Sequence, residues 1–114
     1  MPYVSIRSSK PIAEDKMERL QKGIGDIISI IPGKDSERCM IQILGDVKTY
    51  MGGKPKNATF CEVRLFGEAP AEAKKEFSGE LNKLMTAELG EIETFFINIQ
   101  QYFEWGIGEM YIGG

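Results

Sequence analysis

Hydrophobic and polar residues alternate with two different periods along this chain. Residues 2–7 alternate with a period of two, which predicts a β-strand. Apolar residues then recur at steps of three and four, which predicts an amphipathic helix that Pro32-Gly33 ends. The apolar residues of this helix are Met17, Leu20, Ile24, Ile27, Ile28 and Ile31. The short apolar run 39–44 predicts a second strand.

The second half of the chain repeats this order. Residues 59–66 and 95–102 are predicted strands, and a helix ended by Gly90 lies between them. The buried face of this helix is predicted to consist of Ala73, Phe77, Leu81, Leu84, Met85 and Leu89. Residues 45–57 are predicted to be a loop, with at most a short extended stretch at 48–51. The tail from residue 104 has room for one short strand.

The two halves align in register and predict the fold. Val4 matches Val63 and Gly33 matches Gly90, so the pseudo-repeat covers residues 2–45 and 59–102 of a single domain, 1–114. Each half is a β-α-β unit, whose helical crossover makes its two strands parallel. We therefore predict an α/β (α+β) fold with a four-stranded mixed sheet and both helices on one face. The other face is predicted to be open and apolar, which favours a homo-oligomer.

Composition narrows the possible chemistry. The chain contains no histidine, so neither a Ser-His-Asp triad nor a Cys-His dyad can form. Acid–base catalysis must then use carboxylates, Lys, Tyr, Cys or the chain terminus. Cys39 and Cys61 are far apart and have no metal-binding spacing, so both are interpreted as buried strand residues. We expect no metal and no cofactor.

Charge and hydropathy narrow the possible partners. The net charge is −3 and the basic residues are scattered, so we expect no nucleic-acid partner. No apolar run approaches the roughly 20 residues of a membrane span, so no membrane partner is expected. The N-terminus lacks a signal-peptide pattern, which predicts a cytoplasmic protein and leaves unconventional secretion open.

Six short motifs occur in an order and spacing that resemble one known family. They are Met1-Pro2, Gly33-Lys34, Gly52-Gly53, Phe66-Gly67, Phe96-Ile97-Asn98 and Trp105-Gly106. The chain resembles the tautomerase superfamily, and within it the macrophage migration inhibitory factor (phenylpyruvate tautomerase-like) family, over essentially its whole length. This resemblance implies a homotrimer whose three sheets form a central barrel, with active sites between subunits.

The resemblance also implies roles for particular residues. Pro2, freed by loss of Met1, would be the general base of a keto–enol tautomerase acting on a small 2-oxo acid. An α-amine ordinarily titrates near 7.7–8.0, and burial or a nearby cation lowers that pKa towards the value that proton abstraction needs. Lys34 would bind the substrate carboxylate. Asn98 would donate a hydrogen bond to the substrate carbonyl oxygen. Asn98 and Phe96 would both come from the neighbouring subunit.

Several residues keep a second interpretation. Phe66 and Phe96 are predicted to be walls of an apolar pocket, but both could equally be core residues. Arg38 is either a second positive group that binds the substrate carboxylate or a charge exposed to solvent. Lys34 could instead stabilise the dipole of the helix before it, and Asn98 could pair within a subunit interface.

The chain also departs from the family pattern. Phe96 occupies the usual position of a tyrosine, and Ile107 and Ile112 replace aromatic residues of the tail. These departures put phenylpyruvate-like specificity in doubt. They leave open a non-catalytic trimeric binding protein, or a hydrolytic dehalogenase or decarboxylase that would use Arg38 with Glu62 or Glu104.

Overall fold

The protein folds as two β-α-β units, each followed by a small hairpin, in a computed structural model that describes residues 1–113. The first unit and its hairpin comprise β1 (Pro2–Ser8), α1 (Glu14–Ile27), β2 (Met40–Leu44), β3 (Tyr50–Met51) and β4 (Lys54–Pro55). The second comprises β5 (Ala58–Phe66), α2 (Ala71–Leu89), β6 (Thr94–Tyr102), β7 (Glu104–Ile107) and β8 (Met110–Gly113). Among the described helices, none is long and apolar enough to cross a membrane.

The main sheet has the predicted mixed topology. Its strand order is β2-β1-β5-β6. The pairs β1–β2 and β5–β6 are parallel, and β1 joins the two units by pairing antiparallel with β5. The helices pack against each other and against one face of the sheet, where alternate strand residues such as Val4, Ile6 and Val63 are fully buried. The predicted fold class is therefore confirmed.

Local predictions were wrong at three places. The predicted loop 45–57 contains a hairpin, in which β3 pairs antiparallel with β4. The first helix does not run to Pro32, because α1 ends at Ile27 and the chain tightens into a 3₁₀ turn at Ile28–Ile30. Ile31 is then extended, as expected for a residue before proline. The tail holds two strands and not one, since β7 and β8 pair as an antiparallel hairpin.

The open face of the sheet is more polar than predicted. Its residues form three rows across the strands, in the order β2, β1, β5, β6. The rows are Leu44, Arg7, Phe60 and Phe96; then Gln42, Ser5, Glu62 and Asn98; then Met40, Tyr3, Arg64 and Gln100. Polar and charged residues outnumber apolar ones, so the prediction of an apolar face was wrong. The hydrophobic burial argument for a homo-oligomer therefore applies only to part of this face, chiefly to the exposed row of Leu44, Phe60 and Phe96.

Candidate active site

The beginning of β1 lies beside the main cavity of the described chain. Pro2 is buried and pairs with Leu65 near the end of β5. A cavity of about 540 Å³ opens at this end of the sheet. Its walls are formed by Met1, Pro2, Tyr3, Arg38, Met40, Arg64, Tyr102, Glu104, Trp105, Gly106 and Ile107. The chain terminus, two arginines and an indole therefore share one concave site.

Lys34 approaches this end of the sheet from the segment after α1. Gly33 has a φ of +79°, a left-handed conformation that glycine adopts without strain and that turns the chain here. The Lys34 amide donates to the Ile31 carbonyl at 3.1 Å. Its Nζ donates to the Phe66 carbonyl oxygen, at the end of β5, at 2.8 Å. This contact fixes the ammonium beside the N-terminus.

The N-terminal amine lies in an environment that favours its neutral form. The pKa of the Met1 amine is lowered, first by burial and then by the positive charge of Lys34 and a hydrogen bond with it. The charge of Arg38 lowers this pKa further, and Asp35 opposes the effect. An amine at the beginning of β1 is thus shifted towards the state that can accept a proton.

Arg38 reaches the cavity from a 3₁₀ turn, Ser36–Arg38. Asp35 begins this turn, because its side chain accepts a hydrogen bond from the Arg38 amide at 3.2 Å. The Arg38 side chain is exposed to solvent and lines the cavity next to Pro2. Arg38 and Pro2 therefore share the cavity wall, whereas Lys34 is not a wall residue and reaches the site through its hydrogen bond with the terminal amine.

Phe66 supports the cavity from behind one wall. Its ring contacts the Trp105 ring edge-to-face, with 6.4 Å between ring centroids. Trp105 itself lines the cavity, whereas Phe66 does not. Phe66 is thus near the site in a packing position, and the indole is the aromatic surface that a ligand would meet.

Phe96 and Asn98 lie away from Pro2 within one subunit. Asn98 is exposed on the open face, in register with Glu62 and two strands from β1. Strand geometry puts it roughly 14 Å from Pro2. Phe96 is farther along β6, where its ring packs edge-to-face against Phe60 at 6.3 Å. A single subunit therefore does not bring these two residues into the cavity.

Arg64 is the most important residue of the cavity wall that the sequence analysis did not identify. It is in register with Tyr3 across the β1–β5 pair and lines the cavity. A hydrogen bond from its Nε to Glu62 raises the pKa of its guanidinium. The signal was available, because antiparallel pairing of the first strands of the two units puts the end of β5 beside Pro2.

Metal and thiol chemistry find no support in the described part of the chain. Among residues 1–113, no group of three or more Cys, Asp or Glu side chains is close enough together to hold a metal ion. Burial raises the pKa of Cys61 to about 12 and that of Cys39 to about 11, so both thiols stay protonated at neutral pH. Cys61 is buried as predicted, and Cys39 is half-buried.

The structural class is defined by two features. Two β-α-β units share one mixed sheet, and a proline at the end of a strand lies beside a cavity. No protein-family model matches the sequence, and no curated protein matches it by sequence. Solved structures do match. Leishmania major MIF2 has 18% identity and a TM-score of 0.86, covering 98% of this chain and 97% of its own.

Two further matches define the fold more broadly. The macrophage migration inhibitory factor-like protein of Entamoeba histolytica has 20% identity and a TM-score of 0.82, covering 97% of this chain and 98% of its own. A fused 4-OT, solved as an asymmetric trimer, has 17% identity and a TM-score of 0.77, covering 95% and 94%. The chain therefore has the tautomerase fold of the macrophage migration inhibitory factor type, and the predicted resemblance is confirmed at the level of the fold.

Proposed function

We propose that this protein is a keto–enol tautomerase that acts on a small 2-oxo acid. The Pro2 amine, exposed by removal of Met1, is the general base. One observation carries the proposal: the amine at the beginning of β1 has a lowered pKa, caused by burial and by the charges of Lys34 and Arg38, beside a cavity of substrate size. Removal of Met1 moves this amine by one residue along β1, to the buried Pro2.

The reaction needs a base and a counter-charge. The neutral nitrogen of Pro2 takes a proton from the carbon next to the 2-oxo group. The electron pair of that C–H bond forms the C=C bond, and the carbonyl oxygen takes the negative charge. Lys34 binds the carboxylate and stabilises this charge. The oxygen is then protonated from solvent, and Pro2 returns its proton to solvent, which completes the enol.

The assembly belongs to the same proposal. We propose a homotrimer in which Phe96 and Asn98 of one subunit complete the cavity of its neighbour. The fused 4-OT match, which is a trimer, supports this assembly. A second support is the group of exposed apolar side chains at the β7–β8 hairpin, including Ile107, Met110 and Tyr111. A cytoplasmic location stays a prediction.

The role of Pro2 is tested by comparing two forms of the same sequence. The processed chain, with Pro2 first, is compared with the chain that keeps Met1, prepared by inhibiting methionine aminopeptidase and verified by mass. In the form that keeps Met1 the Pro2 nitrogen is an amide without a basic lone pair, and the remaining amine lies one residue away from the position proposed for the base. Phenylpyruvate enolisation should therefore fall by about 10²–10⁴-fold in this form. Equal turnover by the two forms would exclude Pro2 as the base.

The shared site is tested by mixing variants. Lys34→Ala and Asn98→Ala trimers should each have low activity. Subunits unfolded and refolded together should regain a measurable fraction of activity, because some interfaces then join an intact Lys34 to an intact Asn98. A mixture no more active than the sum of its parts would contradict a site built from two subunits.

A non-catalytic trimeric binding protein of the same fold is the second candidate. Phe96 favours it, since this exposed ring offers no phenolic donor to a substrate. In that case pyruvate would raise the melting temperature of the processed chain and of the chain that keeps Met1 alike. Neither form would then catalyse enolisation.

A further inference from the structure

The guanidinium of Arg64 is held in one orientation from two sides. Its Nε donates to Oε1 of Glu62 at 2.6 Å, and Nη2 is 2.5 Å from the same oxygen. The ring of Tyr3 lies against it, with 5.7 Å from Cζ to the ring centroid. A side chain that is 48% exposed would otherwise sample many rotamers, so these contacts pre-organise it.

The Glu62 contact leaves donors of Arg64 unused. A single carboxylate oxygen engages the Nε–Nη2 edge, so both N–H groups of Nη1 stay available. Arg64 lines the cavity together with Arg38 and the N-terminus. The cavity wall also contains one carboxylate, Glu104, whose Oε2 accepts a hydrogen bond from the Tyr111 hydroxyl at 2.8 Å. The cavity wall therefore contains two guanidinium groups, Arg38 and Arg64, and one carboxylate, and Glu62 offsets part of the Arg64 charge.

Arg64 and Lys34 mark two separate positions for anionic groups. Lys34 is fixed at the carbonyl of Phe66, and Arg64 lies two residues earlier on the same strand. The Glu62 contact draws the Arg64 guanidinium along β5 away from Phe66, where Lys34 is held. Two residues of β-strand already span about 7 Å, so a short dicarboxylate fits these two cations better than a single carboxylate does. Planar guanidinium groups bind carboxylates through paired hydrogen bonds.

We propose that Arg64 is a specificity-determining residue that binds a second carboxylate, so that the substrate class is a short 2-oxo dicarboxylic acid. This inference rests on the proposed function, because Pro2 and Lys34 define where the 2-oxo acid end of the molecule lies. Glu62 and Tyr3 act as positioning residues for the guanidinium. The indole of Trp105 forms an apolar part of the cavity wall.

The test compares two substrates in three processed chains: wild type, Arg64→Ala and Arg7→Ala. Arg7 is the matched control, because it is an exposed arginine on the same sheet face that lies outside the cavity wall. For Arg64→Ala, kcat/KM for oxaloacetate enolisation should fall at least about tenfold, the scale of a lost charged hydrogen bond. In the same variant, kcat/KM for phenylpyruvate enolisation should stay within about twofold of the wild-type value. Arg7→Ala should change neither, and Arg64→Lys should recover part of the loss.

An equal loss for both substrates in Arg64→Ala, or no loss for either, would overturn the role of Arg64. Binding of unreactive acids distinguishes a wrong role for Arg64 from failure of the proposed function. If the wild type catalyses neither reaction, the proposed function fails, and calorimetry still decides the inference. Succinate should then bind more tightly than propionate to the wild type and equally to Arg64→Ala. Equal binding of the two acids to the wild type would overturn the inference.

Discussion

The two ends of the main sheet each hold a lysine, and the two lysines have different surroundings. Lys10, just after β1, donates to the carbonyl of Leu89, the last residue of α2, at 2.9 Å and to that of Glu91 at 2.6 Å. Lys34, beyond the end of α1, donates to the single carbonyl of Phe66. A lysine–carbonyl contact therefore joins the two units at each end, although the two lysines occupy non-equivalent positions of the pseudo-repeat.

The difference between these ends indicates where chemistry can arise. Two carbonyls engage the ammonium of Lys10, so it ties β1 to the segment after α2. Lys34 keeps more of its donors for other groups and lies next to the chain terminus, whose pKa it lowers. A lysine–carbonyl contact therefore stabilises the fold at one end, whereas at the other end it holds a positive charge beside the terminal amine, whose pKa it lowers.

Among the changes that test this comparison, the largest effect is expected from removing Lys34. Lys34→Ala should lower kcat/KM for a 2-oxo acid by about 10–100-fold, because a charged partner of the carboxylate is lost. Activity on phenylpyruvate or oxaloacetate, measured in the processed chain, gives the value. Lys10→Ala is the matched control and should stay within about twofold of the wild type. A similar loss in both variants would mean that the two ends do not differ in the way proposed.

Removing the lysine at the structural end should instead affect stability. Lys10→Ala leaves two carbonyls without their charged donor, which should lower the free energy of unfolding by about 1–2 kcal/mol. Urea unfolding followed by circular dichroism measures this change. Lys34→Ala should be less destabilising, since it breaks only one such contact. A larger loss of unfolding free energy in Lys34→Ala than in Lys10→Ala would contradict the comparison.

The smallest effect is expected for Arg38. Its side chain is exposed and acts on the terminal amine through its charge alone, so solvent and salt screen its influence. Arg38→Ala should lower activity by about two- to fivefold at low salt, and the difference should shrink near 1 M salt, where the Debye length is about 3 Å. A loss as large as that of Lys34→Ala, unchanged by salt, would instead indicate direct substrate contact.

Much of the fold could be predicted from periodicity alone. The spacing of Val4, Ile6 and Val63 on the strands, and of Phe77, Leu81 and Met85 on α2, reflects a single buried face that both units share. The end of α1 could not be predicted from spacing, because Ile28 and Ile31 keep the helical pattern while the backbone has already tightened. The open face was misjudged because its character depends on the register of four strands.

The candidate site was predictable only in part, for the same reason. Lys34 and Arg38 follow a helix that delivers them to the beginning of β1, but the family resemblance, and not the local pattern, singled out both residues. Arg64 reaches the cavity through pairing between the two units, which no local pattern reveals. Phe96 and Asn98 lie outside the cavity of their own subunit, and their roles stay predictions until the assembly is determined.

The pKa of the Pro2 amine tests the central claim most directly. In the processed chain, labelled with ¹⁵N-proline, the Pro2 nitrogen can be titrated by NMR. A lowered pKa means that the neutral, active form dominates at lower pH, so activity should rise with pH through this pKa and then level off. We predict a pKa below the ordinary 7.7–8.0 of an α-amine, and a higher value in Lys34→Ala. An ordinary pKa that does not respond to Lys34→Ala would contradict the account.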